Sequence, residues 1–305
     1  MLDAAPQNVD TTYDRFANDP AYVAANEGFV EGLPLRGVTR ILDLCGGTGA
    51  VGQLLLAGAP GASLYQIDLD PVQIGLAAQN YAQLGYAVRR IDAPDLGYAP
   101  ASRGVTLQLG SATDLPFSEG TFDCVNIANA IHLIGGKEAL VGAISRVLRP
   151  GGIFTFSTGF YAGCWPPLTQ QVYYEWTKEA MTWIARKSAA QVAAGGPAIK
   201  RQRVKPQLSE VAYQNRWLTL DEWRALLSDS GLDVQHLAER PVLFDENSLA
   251  AIGSYQGLAE AQLGGYPEGI ASQALAGTAA GALEGAGVSS VQHNWLEVCA
   301  IKRKD

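Results

Sequence analysis

Cysteine is scarce in this chain of 305 residues: Cys45, Cys124, Cys164 and Cys299 lie far apart and form no C-x-x-C pair. That spacing suits neither a zinc knuckle nor a disulfide framework, so free reduced thiols are expected. There are only three histidines, and no metal site is expected. Basic residues are in the minority, with 22 Lys and Arg against 30 Asp and Glu and a net charge of −8. This balance opposes condensation on a phosphate backbone, so no nucleic-acid partner is expected. No run approaches the roughly 18 to 20 apolar residues that a spanning helix needs. The N-terminal MLDAAPQNVD carries acids where a secretory signal carries a basic region, which points to a cytoplasmic protein without a membrane span. Charged residues make up only 17% and the AVILMFWYC set 48%, a composition that excludes disorder and fibre and supports a large core.

The segment Thr39-Arg-Ile-Leu-Asp-Leu-Cys-Gly-Gly-Thr-Gly49 is an apolar run ending in a glycine cluster, and Ala50 to Ala57 continues as a helix. A second run, Ala62 to Asp68, ends in an acid, and Pro71 to Leu84 reads as a helix with proline in its first turn. Further apolar runs at 105–109, 122–128 and 152–157, with a helical stretch at 138–148, imply a parallel sheet covered on both faces. Thr219 to Gly231 reads as a capped amphipathic helix, with Glu222 three residues after Thr219 and a glycine stop. Two closing strands are expected at 232–242 and 291–302. The stretch 91–104 reads as a surface loop. Two long interruptions remain, 159–218 and 245–290. In the second, Gly277, Gly281 and Gly285 fall four residues apart, which indicates close packing of a helix on a neighbour or on a partner subunit; a homo-oligomer stays open.

Gly47-Thr-Gly-Ala-Val-Gly52 follows a strand, opens a helix and is trailed by Asp68 nineteen residues past Gly49, which meets the dinucleotide fingerprint. The physics is shared by several nucleoside cofactors. Small residues let backbone N–H groups approach the ligand, and a carboxylate at the next strand end accepts both ribose hydroxyls.

Asp43-Leu-Cys-Gly-Gly-Thr-Gly49 resembles the first motif of class I S-adenosylmethionine-dependent methyltransferases, D-x-G-x-G-x-G. Gln66-Ile-Asp68 resembles the ribose-binding second motif, Gly110-Ser-Ala-Thr-Asp-Leu-Pro-Phe117 the G-D-A-x-x-L-P-F segment, and Phe122 through His132 the fourth strand and its exit. Arg146-Val-Leu-Arg-Pro-Gly-Gly152 resembles the L-x-P-G-G turn that follows. The resemblance covers 39–157 and, more loosely, 219–231. It implies an α/β fold with a doubly wound, mostly parallel seven-stranded sheet and S-adenosylmethionine as the cofactor. It places the cofactor against Asp43, Cys45, Gly46, Gly47, Gly49, Asp68 with the adjoining Leu69, Ser111, Ala112 and Ala128. Two departures stand out. Cys45 replaces the first glycine, which a tight turn tolerates if its backbone φ is negative. Ser111 replaces the usual acid at the adenine, where the Ser111 hydroxyl or water takes over that contact and Ala112 offers its backbone N–H.

His132, after the fourth strand of the motif set, is the best-placed candidate for a general base, with a capping or supporting role as the alternative. Tyr13, in Tyr13-Asp-Arg-Phe16, resembles part of a lead-in helix over the cofactor and is a candidate to touch sulfonium or acceptor, against simple packing. His236 and His293 read as structural. Tyr174 to Lys178 spells the Y-x-x-x-K of short-chain dehydrogenases, but an aromatic helix face is the better account.

The chain is thus divided into a lead-in at 1–38, a core at 39–158 and 219–305 with a helical Ala/Gly-rich insertion at 245–290, and an aromatic lid at 159–218. That lid carries four of the six tryptophans, and eight Lys and Arg against three Glu. Its composition suits an anionic or aromatic small-molecule acceptor. The expected function is methyl transfer to O, N or C of a small metabolite. A nicotinamide-dependent oxidoreductase and a catalytically silent cofactor-binding scaffold are the alternatives.

Overall fold

The computed structural model describes residues 9–91, 104–202 and 216–304. The chain forms two compact units, one of Ala25–Ala162, Trp217–Arg240 and Trp295–Asp305, the other of Met1–Ala24, Gly163–Arg216 and Pro241–Asn294. The first holds the glycine cluster. The segment expected as a lid is therefore divided near both of its ends. The expected loop at 91–104 falls almost wholly outside the described residues.

Strands β1 (Arg40–Leu44), β2 (Ser63–Asp68), β3 (Ala87–Ile91), β4 (Gly104–Leu109), β5 (Phe122–Ala128), β6 (Leu148–Thr158), β7 (Leu232–Asp245) and β8 (Ser290–Lys302) form one sheet in the order β3-β4-β2-β1-β5-β6-β8-β7. The pairs from β3 to β6 are parallel, and β8 lies antiparallel to β6. The sheet has eight strands where seven were expected. The additional strand is the edge β3, whose Ala-Val-Arg-Arg-Ile lacks the buried apolar run of the inner strands. An edge strand pairs on one side only, and its two arginines keep that edge soluble.

Local chemistry sets the remaining elements. The inner strand β1 is buried on both faces, with Ile41, Leu42 and Leu44 fully covered, as a strand roofed on both sides requires. In α4 (Pro71–Gln83) Asp70 caps by accepting from the Val72 N–H at 2.7 Å, and Pro71 occupies the first turn, where its missing donor costs nothing. With α1 (Asp14–Ala17), α2 (Pro20–Glu31), α3 (Ala50–Gly58), α5 (Lys137–Val147) and α6 (Pro167–Ala193) preceding it, α7 (Leu220–Asp229) starts on the expected capping box. Thr219 accepts from the Glu222 N–H while the Glu222 carboxylate accepts from the Thr219 N–H.

In the second unit α6 packs on α10 (Glu268–Gly285), which follows α8 (Glu246–Ser254) and α9 (Gln256–Leu263). Trp176 donates its indole N–H to the Leu275 carbonyl at 2.8 Å. A Cβ at Gly281 would stand 2.6 Å from a Glu179 carboxylate oxygen, so the glycine spacing does serve close contact with a neighbouring helix. Among the described residues no helix is long and apolar enough to cross a membrane.

Asp123 ties the starts of the central strands together. It accepts from the Thr39 N–H, the Thr39 hydroxyl, the Arg40 N–H and Arg149 Nε. Burial pushes its carboxyl up, but the bonds from Thr39, Arg149 and Arg40 outweigh that and hold it below its ordinary 3.8. A depressed folded-state pKa gives stability that is present above the ordinary value and lost as pH falls through the lower one. Asp123→Ala is expected to cost about 2–4 kcal/mol in urea unfolding at pH 7, because several donors lose a charged acceptor, with the difference from the unaltered chain shrinking toward pH 3.

Candidate active site

The sheet order reverses between β1 and β5, since the chain winds from β1 toward β2 in one direction and later enters β5 on the other side. Ligands of doubly wound sheets bind in the crevice beyond such a reversal. Among the described residues only two non-glycines have positive φ, Cys45 at 54° and Asn129 at 51°, and they stand one position past the ends of β1 and β5. The expectation of a negative φ at Cys45 is thus corrected. The bend turns left-handed at 45, 47 and 49, and a side chain accepts about 1–2 kcal/mol of strain there.

The bend closes over a buried polar network. Asp68, at the end of β2, accepts from the Gly47 N–H at 2.8 Å and, through its other oxygen, from the Asp70 N–H at 2.9 Å. Gln66 donates to the Gly47 carbonyl at 2.8 Å and accepts from the Tyr81 hydroxyl at 3.0 Å. Asn80 donates to the Thr48 carbonyl at 3.1 Å. Asn126 on β5 donates to Asp43 Oδ1 at 2.7 Å. Gly46, Gly49 and Gly52 leave no room for a side chain, Gly49 because a Cβ would stand 2.7 Å from the Tyr81 ring. A Cβ at Gly46 would lie 2.5 Å from the Gln66 side chain, and one at Gly52 would overlap the Tyr81 hydroxyl.

Burial dominates the electrostatics. The Asp43 carboxyl is pushed up to about 7 by burial, with the Asn126 bond pulling it down and Asp68 pushing it up. Asp68 is raised by burial against the N–H groups of Asp70 and Gly47. The Cys45 thiol rises to about 12 through burial and the charges of Asp68 and Asp43, so it stays protonated and unreactive.

The residues expected at the cofactor fall as follows. Asp43, Cys45, Gly46, Gly47, Gly49 and Asp68 share the bend and its network. The Gly110 N–H donates to the Asp68 carbonyl at 2.9 Å, which joins the Ser111 turn to the same strand end. The Ser111 hydroxyl lies 2.8 Å from that of Thr113 and accepts from the Thr113 N–H, while Ala112 is buried. Leu69 is 58% exposed, an apolar side chain left in the open beside the ribose acid. Ala128 ends β5 next to Asn129.

His132 lies in the same unit, buried in the short turn Ile131–Leu133, and burial followed by the Lys137 charge lowers its pKa to about 3. Tyr13 belongs to the other unit, within an aromatic cluster of Phe16, Tyr22 and Tyr255 with ring centroids 5.0–5.7 Å away. Tyr174 is 68% exposed and Lys178 pairs with Glu175 at 3.1 Å, so the Y-x-x-x-K pair is a solvated helix face. His293 stacks on Tyr173 in the second unit, and His236 sits 3.9 Å from Glu297.

Sequence reasoning assigned no role to Gln66, Gln73, Tyr81, Asn126 or Asn129. Gln66 and Asn126 did leave a signal, being polar letters inside otherwise apolar strand runs. Four polar atoms here are buried without a hydrogen-bond partner among the described residues: the acceptors Asp43 Oδ2, Asn126 Oδ1 and Gln73 Oε1, and the donor Asn129 Nδ2. Gln73 Oε1 faces the bend, 3.8 Å from where a Gly47 Cβ would stand. Orphaned buried groups of this kind call for a ligand. An amino-acid ammonium and ribose hydroxyls would satisfy the acceptors and a carboxylate the donor, so these residues fit S-adenosylmethionine.

The pattern of the family described as "Methyltransferase domain" matches residues 42–156. A demethylmenaquinone methyltransferase of Thermus thermophilus is 34% identical over 113 residues, which are 37% of this chain and 44% of that protein. Over this region the chain is similar to methyltransferase domains. A ubiquinone/menaquinone biosynthesis C-methyltransferase of Geotalea daltonii is 31% identical over 39% of this chain and 46% of its own length. The chain spans about half the length of these two relatives. A demethylmenaquinone methyltransferase of Parafrankia is 26% identical over 79% of this chain and 96% of its own. In fold, the chain resembles the YcgJ protein of Bacillus subtilis, with TM-score 0.53, 16% identity and coverage of 92% and 100%. It equally resembles the [4+2]-cyclase SpnF, with TM-score 0.53, 17% identity and coverage of 93% and 82%.

A raised carboxylate pKa means that the unfolded chain ionises first, so stability is lost as pH climbs from about 4 toward 7 and levels off above. Asp43→Asn is expected to flatten that part of the profile in urea unfolding measured from pH 4 to 8. An unchanged slope would show that Asp43 is ionised throughout.

Proposed function

We propose that this chain transfers the methyl group of S-adenosylmethionine to a small-molecule acceptor. The observation that carries this reading is Asp68. Its carboxylate accepts from the Gly47 and Asp70 N–H groups at the mouth of the switch-point crevice, where a ribose diol would donate both of its hydroxyls to the same two oxygens. When bound, the donor supplies a methyl group already activated by the sulfonium charge. The chain's residues then have only to bind, align and exclude water. Asp68 holds the ribose, the bend offers backbone N–H groups, Asp43 and Gln73 give acceptor oxygens to the cofactor's donors, and Asn129 gives its amide N–H to the carboxylate.

The acceptor chemistry is read from the same unit. Past β6, the Phe160 ring lies 4.3 Å from that of His132, and the Trp217 ring 5.7 Å from that of Phe160, with Phe160 and Trp217 both partly exposed. Such a face suits a flat, oxygen-bearing aromatic acceptor. The relatives from Thermus thermophilus and Geotalea daltonii are named for menaquinone and ubiquinone, whose reduced hydroquinone forms belong to that class. Because a [4+2]-cyclase shares the fold, fold alone does not carry the reaction.

The test is calorimetry with S-adenosylhomocysteine, together with transfer of labelled methyl from S-adenosylmethionine to demethylmenaquinol and related hydroquinones. Saturable binding and labelled product are expected. Asp68→Ala is expected to weaken binding tenfold or more, since hydrogen bonds to a charged group contribute about 1.5–3 kcal/mol each. Stabilisation by NADPH in place of S-adenosylhomocysteine would favour an oxidoreductase. Tight binding without transfer would favour a silent scaffold.

A further inference from the structure

Helix α5 opens on a residue that its position disfavours. Lys137 is the first residue of the helix, where the partial positive charge of the N-terminus repels a cation, and it is buried, with 8% of its surface exposed. A buried ammonium needs a counter-charge. Among the described residues none pairs with it: Nζ donates to the Ile134 carbonyl at 2.8 Å, and no carboxylate forms an ion pair with it. Glu138, next along the helix, pushes its pKa up, but Glu138 is exposed, and burial is the larger effect and lowers it.

The start of the helix is bare as well. Gly136 stands at the N-cap with φ 62° and no side-chain cap, and a Cβ placed on it would meet nothing within 4 Å. The first-turn N–H groups of an uncapped helix favour an anion. The Ile134 carbonyl lies three residues ahead of Lys137, so the bond to it draws the ammonium back toward the entrance of the helix. All of this follows β5, the strand that flanks the reversal of the sheet, and belongs to the sheet unit. The Lys137 charge acts on His132, whose ring lies 4.3 Å from that of Phe160, so the cation stands near the aromatic face described above.

We propose that Lys137 and the uncapped start of α5 form an oxyanion site that holds a carboxylate or an ionised phenol of the methyl acceptor. This rests on the methyltransferase reading of the crevice. A bound oxyanion supplies the counter-charge that Lys137 lacks, accepts from the ammonium and from first-turn N–H groups, and is favoured by the helix dipole. A neutral acceptor leaves the ammonium uncompensated and binds less well. Lys137 is thus a binding residue that orients the acceptor, and no bond forms or breaks at it. The acceptor class narrows to aromatic acids and acidic phenols.

Amide NMR titration of the 15N-labelled chain, with and without S-adenosylhomocysteine, tests the site. The probes are benzoate and 2,4-dinitrophenolate, with benzamide and 1,3-dinitrobenzene as their neutral counterparts. Saturable shifts of the Gly136, Lys137, Glu138 and Ala139 signals are expected with at least one anion, at an affinity about tenfold above its neutral counterpart, since charge-assisted hydrogen bonds are the stronger ones. Benzoate alone assigns a carboxylate, dinitrophenolate alone a phenolate. Lys137→Met is expected to lose the response without a lower urea midpoint, because it removes an uncompensated buried charge, and Lys137→Arg to keep it. No shift at these signals, an equal response to the neutral probes, or an undiminished response in Lys137→Met overturns the proposal; if that variant does not fold, the first two outcomes still decide. A response abolished by S-adenosylhomocysteine assigns the anion site to the cofactor carboxylate and overturns the acceptor role. Failure to bind S-adenosylhomocysteine, with the anion response intact, strikes the methyltransferase reading and leaves the anion site standing.

Discussion

Between β1 and α3 the backbone must turn within contact distance of two buried side chains, Gln66 and Tyr81, and still leave the Gly47 N–H pointing at Asp68. That constraint fixes the residue types around it. No Cβ fits at Gly46 or Gly52, because Gln66 and Tyr81 occupy the space. Gln66 in turn is held by the Tyr81 hydroxyl from α4, so the second βα unit braces the turn of the first. Asp43 and Asn126 carry the same network across to β5, the strand on the far side of the switch point. The crevice is therefore built by three strands and a helix that meet at one bend.

The same bend concentrates what a fold normally avoids. A buried carboxyl with an unpaired oxygen, a buried amide with an unpaired N–H and two left-handed non-glycine residues all fall at the ends of adjacent strands. Each is unfavourable by itself. Their coincidence at the reversal of the sheet is what a site for a polar, charged ligand requires. His132 shows the opposite strategy. Its Nδ1 lies 3.0 Å from the Thr158 hydroxyl, its ring meets that of Phe160 at a tilt, and burial with the Lys137 charge opposes its protonation.

Much of this was legible in the letters. The glycine bend, Asp68 and the capping box at Thr219 and Glu222 are local signals, because each needs particular residue types at fixed spacing. The edge strand β3 was not legible: strands buried on both faces announce themselves by apolar runs, whereas an edge exposed on both faces reads as a polar loop. The network beneath the bend was half visible. Gln66 and Asn126 interrupt apolar strands, yet nothing along the chain says that Asn126 meets Asp43, 83 positions away. The positive φ of Cys45 was misjudged because the bend's demand for left-handed backbone outweighs the preference of a single side chain.

The central claim, that Asp68 and the bare bend hold the sugar of a methyl donor, is tested most directly by a crystal structure of the chain with S-adenosylhomocysteine. The account predicts both ribose hydroxyls on the Asp68 carboxylate and the homocysteine carboxylate within reach of the Asn129 amide. A nucleoside seated elsewhere, or a crevice closed by the Cys45 side chain, would contradict it.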